Sequence, residues 1–136
     1  MARILIADDE LQVRTLLAEV ISSMGHTSVE AEDGEEALKR YRTETVDLCI
    51  VDIQMPKKDG IVFLHEIKKI DPEAVVIVMT GFPSAETIIE TIEDDGYTYI
   101  AKPIYVNRIM DLIQRGLDFR KRRMKKITGK PPKSRS

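Results

Sequence analysis

Leu48-Cys49-Ile50-Val51 is an unbroken apolar run that stops abruptly at an acid, Asp52. The loop Ile53-Gln54-Met55-Pro56-Lys57-Lys58-Asp59-Gly60 follows, with a Pro and a Gly. A short apolar run bounded by turn signals reads as a strand buried on both faces. Val75-Val76-Ile77-Val78-Met79 repeats the pattern and ends in a hydroxyl, Thr80. Strands covered on both sides belong to sheets with a helical layer on each face. The carboxylate of Asp52 then stands at the carboxyl rim of such a sheet, where open α/β folds bind ligands.

The rest of the chain supplies the matching pieces. Ile4-Leu5-Ile6-Ala7 is a first strand ending in Asp8-Asp9-Glu10. Val13, Leu16, Leu17, Val20, Ile21 and Met24 then recur at helical spacing, and Gly25 stops that helix. His26 to Ala31 is a weaker strand at or near an edge. Asp33 and Glu36 resemble a capping box opening a second helix to about Arg42. Ile61, Leu64, Ile67 and Ile70 mark a third helix, with Phe63 and His65 near its borders, and Asp71-Pro72 ends it. Ser84 is a plausible cap for a weakly amphipathic helix over 85–94. Thr98-Tyr99-Ile100-Ala101 is a fifth strand running into Lys102-Pro103, and Val106, Ile109, Met110, Ile113 and Leu117 mark a fifth helix. Right-handed βαβ crossovers then give a flavodoxin-like doubly wound parallel sheet, order 2-1-3-4-5, with five helices.

All strands of a parallel sheet end at one rim. It collects Asp8 and Asp9, Asp52, Thr80 and Lys102 from four distant segments. Two carboxylates about 4 Å apart at an effective dielectric of about 20 repel by roughly 4 kcal/mol, so the cluster needs a cation. Oxygen ligands without His or Cys suit Mg²⁺. A carboxylate attacking phosphorus gives an aspartyl phosphate. Mg²⁺, Lys102 and the Thr80 hydroxyl would share the charge spread over three phosphoryl oxygens.

These residues resemble a family. Asp8-Asp9, Asp52 followed by Met55-Pro56 and Asp59-Gly60, Thr80, and Tyr99-x-x-Lys102-Pro103 are similar to the receiver domain of two-component response regulators, of the chemotaxis single-receiver type. The resemblance covers about residues 2–120. It implies that Asp52 accepts a phosphoryl group from a sensor histidine kinase or phosphotransfer protein. It implies direct Mg²⁺ ligation by Asp9, Asp52 and the backbone carbonyl of Gln54, and ligation through water by Asp8. Lys102 would contact the phosphoryl group, with a cis bond to Pro103, and Thr80 and Tyr99 would be the switch pair. The output face would be the helix over 85–94, the fifth strand and the fifth helix, which is also a possible homodimer surface. Departures from the pattern are Gly81, where many receivers carry Ala or Ser, and Asp95-Gly96-Tyr97, where many carry a Gly-Ala pair. Gly81 leaves one side of the site open to attack by water; Gln54 and Phe82 flank it.

Charge is divided along the chain. Of 21 basic residues nine fall at or after Arg120, where there is no acid, so residues 1–119 set 12 basic against 23 acidic groups, a net of −11. An acidic body does not suit nucleic acid. The domain reading is therefore a receiver over 1–119 and a basic C-terminal helix extension or linker over 120–136, partly disordered. Arg120 interrupts an a/d seam of Val106, Met110, Ile113, Leu117, Met124 and Ile127, which weakens a coiled-coil reading. No apolar run approaches the roughly 18 residues of a membrane span. The start, Met1-Ala2-Arg3-Ile4, lacks the apolar region of a signal peptide, and the single Cys49 suits a reducing cytoplasm.

Plainer readings stand beside these. Cys49 is a small buried hydrophobe, His26 and His65 are surface residues, and Glu10 and Asp59 are helix-start and turn residues. Tyr99 competes with a non-switching rim tyrosine. An aspartyl-nucleophile phosphatase is the enzymatic alternative, but enzymes resembling the haloacid dehalogenases place an acid two residues after the nucleophile, where this chain has Gln54. A phosphate-independent binding module of the same fold is the third reading. The expectation is a switch without external turnover.

Overall fold

The computed structural model describes residues 1–55, 60–81 and 97–128. The helix read over 85–94 with its Ser84 cap, Phe82, Asp59, the Asp95-Gly96 pair and the tail from 129 lie outside the described residues. In chain order the elements are β1 (Arg3–Ala7), α1 (Leu11–Ser23), β2 (Thr27–Ala31), α2 (Gly34–Thr43), β3 (Leu48–Asp52), α3 (Gly60–Ile70), β4 (Val76–Thr80), β5 (Tyr97–Ala101) and α4 (Val106–Thr128).

The five strands form one sheet in the order β2-β1-β3-β4-β5, with every pair parallel. Side chains alternate between its faces. Leu5, Ala7, Cys49, Val51, Val76 and Val78 pack against Ala37 and Leu38 of α2 and Phe63, Leu64 and Ile67 of α3. Ile4, Ile6, Leu48, Ile50, Ile77 and Met79 pack on the other side against Leu17, Val20 and Ile21 of α1 and Ile109, Ile113 and Leu117 of α4. Every residue of β3 and β4 is buried, which is why both read as unbroken apolar runs. The architecture is the flavodoxin-like one expected from the pattern. Among the described residues no helix is long and apolar enough to cross a membrane.

The helix ends follow local chemistry. At the end of α1 the His26 N–H donates to the Ile21 carbonyl and the Gly25 N–H to that of Ser22. This Schellman closure needs φ > 0, and Gly25 sits at φ 85°. Asp33 caps α2 by accepting from the Glu36 N–H at 2.8 Å, while the Glu36 carboxylate accepts from the Glu32 N–H at 2.8 Å.

Two expectations need adjusting. In α3 the inward stripe is Phe63, Leu64 and Ile67, while Ile70 is 39% exposed. Phe63, one turn before Ile67, puts its ring on the buried face, and Ile70 lies at the helix end. In α1 Leu16 is 37% exposed and Arg14 is buried. The last helix, read from the apolar positions to Leu117 with a helix extension or linker after it, runs to Thr128. Ile113 and Leu117 of its seam belong to the sheet core. Arg120 turns inward, donating to Asp71 at 3.0 Å and to the Glu73 carbonyl at 2.6 Å. Arg123 pairs with Glu73 at 2.8 Å and lies 5.0 Å from the centre of the Phe119 ring.

Candidate functional site: an acidic pocket at the sheet rim

β1 and β3 are adjacent and end together, with Ala7 in register with Val51. Asp8 and Asp52 therefore meet at the rim, both buried. Asp8 is the more tightly held. Its N–H donates to the Ala31 carbonyl of β2 at 3.1 Å, and its Oδ1 accepts from the Glu10 N–H at 2.8 Å. Asp52 Oδ1 accepts from the Gln54 N–H at 3.0 Å, which turns the chain away from β3. β5 supplies the counter-charge. The Lys102 N–H donates to the Thr80 carbonyl at 2.8 Å, and the Lys102–Pro103 peptide is cis. Lys102 Nζ reaches Asp52 Oδ2 at 2.8 Å, Asp8 Oδ2 at 3.2 Å and Glu10 Oε1 at 3.5 Å.

Asp8, Asp9, Glu10 and Asp52 each place one carboxylate oxygen so that all four atoms lie within 4.8 Å of one another. Burial pushes the Asp8 carboxyl up to about 6; the Glu10 N–H and Lys102 oppose the rise and the Asp52 charge adds to it. Burial pulls the Lys102 ammonium down, but the hydrogen bond and charge of Asp52, then Asp8, outweigh it and leave its proton more firmly held. One ammonium thus faces up to four carboxylates. An oxygen-only set with excess negative charge fits a hard divalent cation. These residues can hold a metal, and the donor chemistry favours Mg²⁺ over the nitrogen- and sulfur-seeking ions.

Comparison with known proteins places this geometry in a family. The response regulator receiver domain pattern matches residues 4–114. The chain belongs to that family. This receiver domain is 34% identical over 117 residues to the chemotaxis protein CheY of Bacillus subtilis, covering 85% of this chain and 98% of that one. It is 32% identical over 114 residues to the transcriptional regulatory protein ZraR of Salmonella typhimurium, covering 84% of this chain but only 26% of ZraR. The receiver thus spans about a quarter of that curated relative. Among solved structures, a CheY-like receiver domain protein from Methanospirillum hungatei superposes with a TM-score of 0.85 at 25% identity, covering 90% of this chain and 98% of that one.

The receiver fold brings Asp8, Asp9, Asp52 and Lys102 into one pocket. Thr80 is buried at the end of β4, beside Ala101 of β5. Tyr99 is in register with Val78, so it shares a sheet face with Thr80, and it packs half-buried on the α2–α3 core. Gln54 is exposed and touches Asp52 through its N–H. Among the bland readings, His65 is exposed, and His26 is half-buried with Nδ1 accepting from the Ala2 N–H at 3.0 Å. One residue of the pocket and one behind it escaped the sequence reading. Glu10 stands at the start of α1 without a side-chain cap, its carboxylate turned to the acid cluster. Arg14 lies three positions before Leu17, on the buried stripe, and its guanidinium donates to the Asp8 carbonyl. Its only sequence signal was a cation at a core-facing position beside the acid run.

Proposed function

We propose that this receiver is a phosphorylation-controlled switch in which Asp52 accepts a phosphoryl group from a sensor histidine kinase or phosphotransfer protein. The observation that carries the reading is the Lys102 ammonium, 2.8 Å from Asp52 and 3.2 Å from Asp8 inside an all-oxygen acid pocket. An Asp52 carboxylate oxygen forms the new P–O bond as the donor's bond to phosphorus breaks, and the donor nitrogen leaves with that electron pair. Lys102 then pairs with the transferred phosphoryl oxygens, and the Thr80 hydroxyl and rim N–H groups take others. Asp9, Asp52, the Gln54 carbonyl and, through water, Asp8 would hold Mg²⁺, which supplies charge neutralisation to the reacting oxygens. Attack by water on phosphorus breaks the same P–O bond and regenerates the carboxylate, a slow self-dephosphorylation without external substrate. Phosphorylation shifts the Thr80–Tyr99 pair and the face formed by the 85–94 segment, β5 and α4, where an output domain, partner or second copy binds. The receiver occupies 1–119, with 120–136 as a basic extension, and acts in the cytoplasm.

Incubation with acetyl phosphate and Mg²⁺, followed by intact-mass measurement, tests this reading. One added phosphoryl group, removable by hydroxylamine and missing in Asp52→Asn, is expected. An unchanged mass would refute phosphoacceptance. Hydrogen exchange with beryllofluoride should slow in the 85–94 segment and β5; equal exchange would refute the switch.

A further inference from the structure

Arg14 contacts none of the reacting atoms assigned above, yet it is the one buried guanidinium among the described residues. Its Nη1 donates to the Asp8 carbonyl at 2.7 Å, in a bond with no access to water. Its Nε pairs with Glu30 at 3.1 Å and its Nη2 faces Glu32 at 3.9 Å. Its own N–H donates to the Glu10 carbonyl at 3.2 Å, the first turn of α1. A single residue therefore ties the carbonyls on either side of Asp9. β2 holds the Asp8 N–H, and Glu10 holds one Asp8 oxygen. This loop passes beyond the end of β1, and among the described residues the Arg14 guanidinium is what meets the Asp8 carbonyl. Left unpaired, a buried carbonyl loses the hydrogen bond it had in water, and the peptide would turn to find water. Turning the Asp8–Asp9 peptide swings the Asp9 carboxylate.

We infer that Arg14 is a positioning residue for the divalent cation: braced by Glu30 of the edge strand and Glu32 just beyond its end, it fixes the peptide that aims Asp9 into the pocket. The inference rests on the metal-site reading above. Its consequence is specific. Loss of Arg14 weakens cation binding without weakening phosphoryl transfer once the cation saturates, because Asp52, Thr80 and Lys102 keep their places. A second-layer partner of a metal site is typically worth 10–100-fold in affinity.

The experiment titrates Mg²⁺ by calorimetry into the full chain, Arg14→Met, Arg14→Lys and Glu30→Gln, with the Glu10 amide exchange rate measured in metal-free protein. Arg14→Met should raise the Mg²⁺ dissociation constant about tenfold. Its Glu10 amide should exchange faster while the β4 amides keep their rates, and its acetyl phosphate reaction should match the parent at saturating Mg²⁺. Arg14→Lys should recover part of the affinity, since an ammonium cannot bridge the carbonyl and Glu30 as a fork does. Glu30→Gln should show a smaller loss than Arg14→Met. Equal Mg²⁺ affinity in the parent and Arg14→Met would overturn the inference while leaving the metal site standing. A lower saturated rate, or faster β4 exchange, would make Arg14 a general stabiliser and also overturn it. A parent that binds no Mg²⁺ would overturn both this inference and the site reading.

Discussion

Asp8 has no exposed side-chain surface, yet it shares its pocket with Asp52. Its folded value of about 6 against an ordinary 3.8 means that the folded chain binds the proton more tightly than the unfolded chain. Stability contributed by this group therefore falls as pH rises through that window and is flat above it. A shift of about two units corresponds to roughly 3 kcal/mol. Urea melts in EDTA at pH 4 and pH 7 should show this loss, and Asp8→Asn should flatten the profile while weakening Mg²⁺ binding. A parent as stable at pH 7 as Asp8→Asn would contradict the electrostatics drawn here.

Among the elements, α4 is set by two features. Gly116 lets it approach the sheet: a Cβ there would lie 2.6 Å from Leu48 Cδ1 and 3.4 Å from Val75 Cγ1. Alanine gains about 1 kcal/mol of helix propensity over glycine, but overpacking a tight core costs about 1–3 kcal/mol. Leu48 is fully buried and has little room to turn, so Gly116→Ala should lower the urea midpoint, and Gly116→Val should lower it further. The second feature is the polar tie at the opposite end of the sheet from the pocket. Asp71 accepts from the Tyr41 hydroxyl at 2.7 Å and from Arg120 at 3.0 Å. Burial alone would raise the Asp71 carboxyl; the Tyr41 hydrogen bond and the Arg120 charge reverse that and hold it below the ordinary 3.8. Such an acid stabilises the fold above 3.8, and its contribution fades as pH drops below that value. Arg120→Met should cost about 2 kcal/mol at neutral pH, by the usual worth of a charged hydrogen bond, and should shrink the acid-side loss. Circular dichroism melts at pH 3 and pH 7 measure both.

At the scale of the molecule, a cation bound only by the folded rim should stabilise the whole chain by mass action. Mg²⁺ at about 100 times its dissociation constant should add about 2.7 kcal/mol, read as a rise in melting temperature that Asp52→Asn diminishes. The sheet and its rim were legible because the apolar runs β3 and β4 are covered on both faces and the parallel order lines up Asp8, Asp52, Thr80 and Lys102. Arg14 and Glu10 were not, because hydrophobic periodicity marks which face is buried but not when a cation lies on it. The inward turn of the basic residues late in α4 was hidden for the same reason. Arg120 and Arg123 look like solvated charge in a basic run, and only the fold shows them answered by Asp71 and Glu73.

The ammonium that bridges Asp8 and Asp52 arrives from 94 and 50 residues away along the chain. No local stretch, and no partly assembled sheet lacking its last strand, brings those three groups together. On the proposed function, a newly made or damaged copy would be mute: the carboxylate and ammonium proposed to take the phosphoryl group come together only once the final edge has docked. Fidelity of such a signal would then be inherited from completion of the architecture.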